Sequence, residues 1–202
     1  MTKYISCADT AKLIRKALKE SFSNVKFAVR SHVYSGGASI NVSWTDGPNE
    51  AQVSAVAGHF RAAYFDGSID YQGSIYHMID GEAVHLGADF IFFKRDYSTS
   101  AIQRAIDSLY RHYEGNFKGS TEPRATVEDF QKGRLHTQQV PGLNDNGLGY
   151  WGMQAQIART LAKHSDRLKV QTSTTAAKIF ETHDDNYSKT NGSGFSVLNV
   201  DA

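Results

Sequence analysis

The sequence predicts an α+β domain: an antiparallel sheet of two hairpins with helices on one face, followed by a smaller, mainly helical C-terminal part. Three observations predict it. An Asp80-Gly81 pair stands between two alternating apolar runs within Ser68–Tyr97, and Asp-Gly suits a two-residue type I′ turn. A second pair of alternating runs flanks Ser35-Gly36-Gly37, a looser turn. Segments of helical periodicity precede, separate and follow the hairpins, which gives the order α-β-β-α-β-β-α over residues 1–115.

Each element has a local cause. Ser6-Cys7-Ala8-Asp9 forms an N-cap box that opens a helix ending near Phe22. Its apolar stripe is Ala11, Leu13, Ile14, Ala17 and Leu18, while Lys12, Arg15, Lys16 and Lys19 take the opposite side. Residues 25–30 alternate through Val25, Phe27 and Val29, and residues 38–44 through Ile40, Val42 and Trp44. Asp46-Gly47-Pro48-Asn49 stops the second of these strands. Asn49 with Gln52 then caps a helix that carries Val53, Val56, Ala57 and Phe60 inward.

The Asp80-Gly81 turn fixes a register in which 79 faces 82, 77 faces 84, 75 faces 86, 71 faces 90 and 69 faces 92. One side of this ribbon carries Ile69, Tyr71, Ile75, Ile79, Val84, Leu86, Ala88, Phe90 and Phe92. The other carries Asp70, Gln72, Ser74, Tyr76, His85 and Asp89, with Ile91 and Phe93 at its far end. Ser98 or Thr99 starts a third helix through Ile102, Ile106, Leu109 and Tyr113.

Beyond Gly115 the character changes. Residues 116–125 read as a linker and 126–181 as a helical region, with helices near Thr126–Lys132 and Tyr150–Lys163, the latter presenting Trp151, Ile157 and Leu161. Residues 133–149, with Pro141-Gly142 and Asn144-Asp145-Asn146-Gly147, read as a long loop. Residues 182–202 read as a polar tail without a packed core of its own, partly disordered or adding a late edge strand at Val197–Val200.

Composition narrows the function. At 202 residues, 40 % apolar and 21 % charged, this is an ordinary globular composition. Twenty-two basic against 21 acidic side chains leave a formal charge of +1, which argues against a dedicated nucleic-acid binder. The lone cysteine, Cys7, excludes an intramolecular disulfide. With no signal-peptide core and no apolar run of membrane-spanning length, the expected location is the cytosol.

Catalytic and metal motifs are not assembled by spacing. His85 and Asp89 share a strand face but lie roughly 13 Å apart, too far for one zinc ion. His77 and His85 fall on opposite faces. Cys7 sits in a first helical turn, yet neither base nor oxyanion site can be assigned to it. Ser35–Ser39 joins strand to strand and lacks the Gly-Lys-Ser/Thr ending of a phosphate loop. No catalytic residue, cofactor or metal is therefore assigned.

Two surface features remain. The first is the Lys12, Arg15, Lys16, Lys19 stripe with Arg30 and Lys26 nearby, which is either a solvated helix face or a docking surface for phosphate or an acidic partner. The second is the polar side of the main hairpin, where Tyr76 opposes His85. With Tyr34 and other turn tyrosines, it is either a packing feature or an interface.

Tyr34-Ser-Gly-Gly-Ala-Ser-Ile40, Trp44-Thr-Asp-Gly-Pro48, Gly87-Ala-Asp-Phe-Ile91 and the opening Ala11–Lys19 segment resemble, in order and spacing, a large polyvalent protein-associated domain, number twenty-nine in its series. The resemblance covers residues 1–115. It implies an origin in phage or conjugative elements, beside antirestriction and other counter-defence modules, and brings no catalytic residues with it. The sequence departs from the large multidomain members in standing nearly alone with its own C-terminal part, which weakens an expectation of action through a fused enzyme and favours a self-sufficient binder.

The expectation is thus an anti-CRISPR that binds a subunit of a host CRISPR–Cas effector complex without catalysis. Its partner-binding residues would be Lys12, Arg15, Lys16, Lys19, Arg30, Tyr34, Tyr76 and His85. A nucleic-acid-binding accessory protein is the alternative, and an enzyme that modifies a defence protein ranks behind it. Burial of Ile91 and Phe93 against the C-terminal helices or against a second copy stays open.

Overall fold

A computed structural model describes residues 2–143, 152–166 and 170–188. The fold is α+β, with eight strands in two sheets and six helices among the described residues. The described chain divides into two compact units. Of the described residues, the first comprises 2–44, 50–94 and 170–188, and the second 45–49, 95–143 and 152–166.

In the first unit, β1 (Lys3–Ile5) leads into α1 (Cys7–Ser21). Ser6 caps α1 as its spacing predicts, its hydroxyl accepting the Asp9 N–H at 3.1 Å. The helix buries Ala11, Ile14, Ala17 and Leu18 and exposes its basic stripe. β2 (Ala28–Tyr34) and β3 (Gly37–Thr45) form the expected hairpin, closed by Tyr34 and Gly37 around Ser35-Gly36. Gly36 holds φ +94°, a conformation that favours glycine. Then follow α2 (Glu50–Ala57), a 3-10 turn (Gly58–Phe60), β4 (Ala63–Asp66), β5 (Tyr71–Ile79), β6 (Glu82–Leu86), β7 (Phe90–Asp96) and, late in the chain, β8 (Ile179–Asp184).

The Asp80-Gly81 turn pairs Ile79 with Glu82, Met78 with Ala83 and His77 with Val84, in the predicted register. There the predicted ribbon ends. Gly87-Ala88-Asp89 carries the chain out of one sheet and into another. The Asp89 carboxylate accepts the Ala38 N–H at 2.7 Å, and the Asp89 N–H donates to the Ala38 carbonyl at 2.9 Å. Side-chain bulk at Gly87 is excluded, because a Cβ there would lie 2.8 Å from the Cys7 nitrogen and the Ile5 carbonyl oxygen.

Two corrections to the ribbon follow. The single sheet of two hairpins is replaced by a five-stranded sheet of β1, β6, β5, β4 and β8 and a three-stranded sheet ordered β2-β3-β7. The predicted partners of Tyr71 and Ile69 are lost as well: β4 takes residues 71–74, and Phe90 and Phe92 leave with β7. Crossing between sheets also reverses which side of β7 is inward. Phe92 is 55 % exposed, whereas Ile91 and Phe93 pack on the core. The turn dictates register only near itself; farther out, β4 takes residues 71–74 of β5, while β8 adds to its other edge.

The core of this unit joins Ile14 and Leu18 of α1, Ile40 and Val42 of β3, Val53 and Phe60, Leu86 of β6, and Ile179 of β8. β1 runs parallel to β6, pairing Tyr4 with His85. β8 lies antiparallel to β5, pairing Tyr76 with His183 across a bulge.

The second unit contains α3 (Thr99–His112), α4 (Glu114–Phe117), α5 (Val127–Gln131) and α6 (Met153–Lys163). Ser98 caps α3. Thr126 and Asp129 form a reciprocal capping box on α5. Ile102, Ile106 and Leu109 of α3 pack with Leu135, Val140, Ile157 and Leu161. Arg95 closes this unit by donating to the carbonyls of Asp46, Gly47, Leu161 and His164 at 2.7–3.0 Å. Trp151, Asn144–Gly147 and Val197–Val200 lie outside the described residues.

Candidate interaction surfaces

Cys7 is buried, its Sγ 3.6 Å from the Ser39 carbonyl, and burial pushes its thiol pKa up. That is the opposite of activation as a thiolate. His77 is 1 % exposed and donates Nε2–H to the His59 carbonyl at 2.9 Å. Burial lowers the pKa of both imidazoles, which keeps them neutral. Among the described residues, no three His, Cys, Asp or Glu side chains gather as a metal site.

The strongest polar cluster has a structural purpose. Asp185 accepts the Tyr64 hydroxyl at 2.6 Å, the Tyr71 hydroxyl at 2.7 Å and the Ser74 N–H at 3.0 Å. Those donors, Tyr64 first, hold its carboxyl down to about 2. Beside it, Asp66 accepts the Ser188 hydroxyl and the Ser68 N–H. The cluster fastens residues 184–188 to β4 and β5.

The predicted partner residues fall into two groups, both in the first unit. Lys12, Arg15, Lys16 and Lys19 line the outer face of α1, and α1 packs against β2. Lys12 is engaged by Asp9 at 2.8 Å. Arg15 reaches farther, donating to the Val29 carbonyl at 2.8 Å. Arg30 and Tyr34 stand on β2 with His32 between them on the same strand face, and His32 stacks on Tyr34 with centroids 5.8 Å apart. Basic stripe and aromatic row thus belong to adjoining elements.

Tyr76 and His85 form the second group, on the five-stranded sheet. The register that ends at His77–Val84 puts them at the next position along β5 and β6. They face away from buried His77, Val84 and Leu86. Tyr76 stacks on His183 at 4.6 Å and His85 on Tyr4 at 5.9 Å. The result is an exposed row across four strands: Tyr4, His85, Tyr76 and His183.

Sequence reasoning misses Tyr4 and His183 because the strands that carry them, β1 and β8, give no alternation of their own. His32 is different: its parity with Arg30 and Tyr34 is visible in the sequence.

Among the described residues, no helix is long and apolar enough to cross a membrane. No curated protein and no solved structure matches the chain. A family model does match, over residues 5–98, and spans α1, both hairpins and the crossing at Gly87–Asp89. That model is large polyvalent protein associated domain 29, a family associated with phages and other mobile elements.

Proposed function

We propose that this chain is a counter-defence protein of a mobile genetic element, an anti-CRISPR that inhibits a host CRISPR–Cas effector complex in the cytosol by binding one of its subunits. The domain's association with phages and mobile elements supports the setting. The observation that carries the binding mode is the junction of α1 and β2, where Arg15, Lys16, Lys19, Arg30 and Tyr34 come onto adjoining elements. Occlusion needs only complementary surface, with arginine and tyrosine as the preferred anchors. Inhibition should therefore be stoichiometric and leave the effector chemically unchanged.

The test is target-DNA cleavage by a purified effector from a host of the element, with and without the protein. Inhibition that saturates near equimolar protein supports the proposal, and undiminished cleavage at excess protein opposes it.

The row of Tyr4, His85, Tyr76 and His183 favours a second reading, a nucleic-acid-binding accessory protein that stacks bases on the sheet. Binding of single-stranded oligonucleotides that weakens steeply with salt would favour it over the first.

A further inference from the structure

β2 ends the three-stranded sheet, with β3 on one side and, among the described residues, no strand on the other. The two-residue turn makes Tyr34–Gly37 the closing hydrogen-bonded pair, so His32 and Arg30 also bond toward β3. Val29, Ser31 and Val33 therefore turn their N–H and C=O groups to the open edge. The bond from Arg15 to the Val29 carbonyl fits this assignment, since it reaches that carbonyl from outside the sheet.

Beyond Val29 the edge is bare: no described residue bonds to the backbone of Ser31 or Val33 on that side. Val33 is 72 % exposed. An edge of this kind is a template for another extended chain unless it is blocked. Arg15 blocks only its first position.

Charge selects the occupant. Arg15 reaches the edge at Val29, Lys16 and Lys19 are exposed on the same helix, which packs against β2, and Lys26 and Arg30 lie just before and on β2. The acidic residues of α1 are already engaged, Asp9 by Lys12 and Glu20 by Ser173 and Thr175. On the outer strand face, Arg30, His32 and Tyr34 offer one cation and a stacked pair to alternate side chains of an incoming strand.

We infer that the open edge of β2 docks an extended acidic segment of a partner protein, which joins the sheet as a fourth strand with its carboxylates against Arg15, Lys19 and Arg30. Ser31 and Val33 supply the backbone ladder, and the cations supply the preference for an acidic chain. The inference rests on the reading of this chain as an inhibitor that works by binding, and it names the kind of surface the chain takes.

The test uses the full chain, isotope-labelled for amide exchange by NMR. Three nine-residue probes are compared: alternating Glu and Thr, alternating Lys and Thr, and the Glu-Thr peptide N-methylated at every residue. The Glu-Thr peptide should slow exchange of the Ser31 and Val33 amides. Loss of the strand donors by N-methylation should weaken binding about tenfold or more. Ser31→Pro, which removes an outward N–H at an edge position that tolerates proline, should do the same. If that variant does not fold, the N-methylated peptide asks the same question from the ligand's side.

Several results would overturn the inference: equal binding of the N-methylated peptide, preference for the Lys-Thr peptide, or concentration-dependent protection of Ser31 without any peptide, which means that two copies pair there. Displacement of the Glu-Thr peptide from these amides by a thymidine oligonucleotide at low salt, with tighter binding of the oligonucleotide, would make the edge a phosphate surface and also overturn it. Equal inhibition of an effector by wild type and Ser31→Pro overturns the edge assignment alone. Peptide protection with no effector inhibited by either protein overturns the proposed function alone.

Discussion

Glu20 accepts the backbone N–H of Thr175, 155 residues farther along the chain, at 2.9 Å. Its carboxylate also takes the hydroxyls of Ser173 at 2.7 Å and Thr175 at 2.9 Å. This single side chain ties the segment leading into β8 to the last turn of α1, on a surface where Ser173 and Thr175 are buried. Glu20→Ala leaves those donors without an acceptor and should cost about 1–3 kcal/mol. The midpoint of urea unfolding measures this, and an unchanged midpoint would remove Glu20 from the account.

The same contacts give a pH dependence. The Thr175 N–H, ahead of the two hydroxyls, holds the Glu20 carboxyl down to about 2 from an ordinary 4.5, and Asp185 falls to about 2 from 3.8. Both groups bind protons more weakly folded than unfolded. Their stabilisation is therefore complete above the unfolded values and is lost as pH falls from 4.5 towards about 2. In Glu20→Gln with Asp185→Asn, the fall in unfolding midpoint over that window should be shallower than in wild type.

Tyr71 gives the opposite sign. Its hydroxyl donates to Asp185, which, ahead of desolvation, pushes its pKa from 10 up to about 12. The stabilisation is present below the unfolded value of 10 and lost as pH rises through about 12. Tyrosinate absorbance should show a late-titrating step that shrinks in Tyr71→Phe.

Gly73 lies against the ring of Tyr64, its partner across β4 and β5. A Cβ there would run into that ring, which its bond to Asp185 holds in place. Gly73→Ala should destabilise by roughly 1–3 kcal/mol. Adding Tyr64→Ala should return part of this, measured as non-additivity in a double-mutant cycle.

In the second unit, Arg95 serves four carbonyls that a lysine cannot reach together. Arg95→Lys should lower the unfolding midpoint and raise amide exchange at the C-terminal end of α6, while the Ser31 and Val33 amides keep their wild-type exchange.

The elements that short-range signals announce were legible in the sequence. Ser6 and Asp9 mark the start of α1, Asp80-Gly81 and Ser35-Gly36 mark two turns, and Thr126 with Asp129 marks α5. What escaped is long-range pairing. β1 is three residues long and takes its place from β6; β8, with Glu181, Thr182, His183 and Asp184, looks like a solvated tail until β5 supplies a partner. Gly87–Asp89 was visible as a motif, yet only Ala38, 51 residues away, reveals it as the point where the chain changes sheets. The basic stripe and Tyr76 were legible as residues; the open edge beside the stripe, and the stacks on His183 and Tyr4, needed the register of strands that no local pattern displays.

Inhibition by bound surface is tested by joining a cleavage assay to intact mass. A purified effector from a host of the element is titrated with the protein, and both are then weighed. Inhibition by binding alone requires cleavage that stops near one equivalent, a stable complex, and unchanged masses for every subunit. Full inhibition at a small fraction of an equivalent, with a new mass on an effector subunit, would contradict it and make the protein an enzyme.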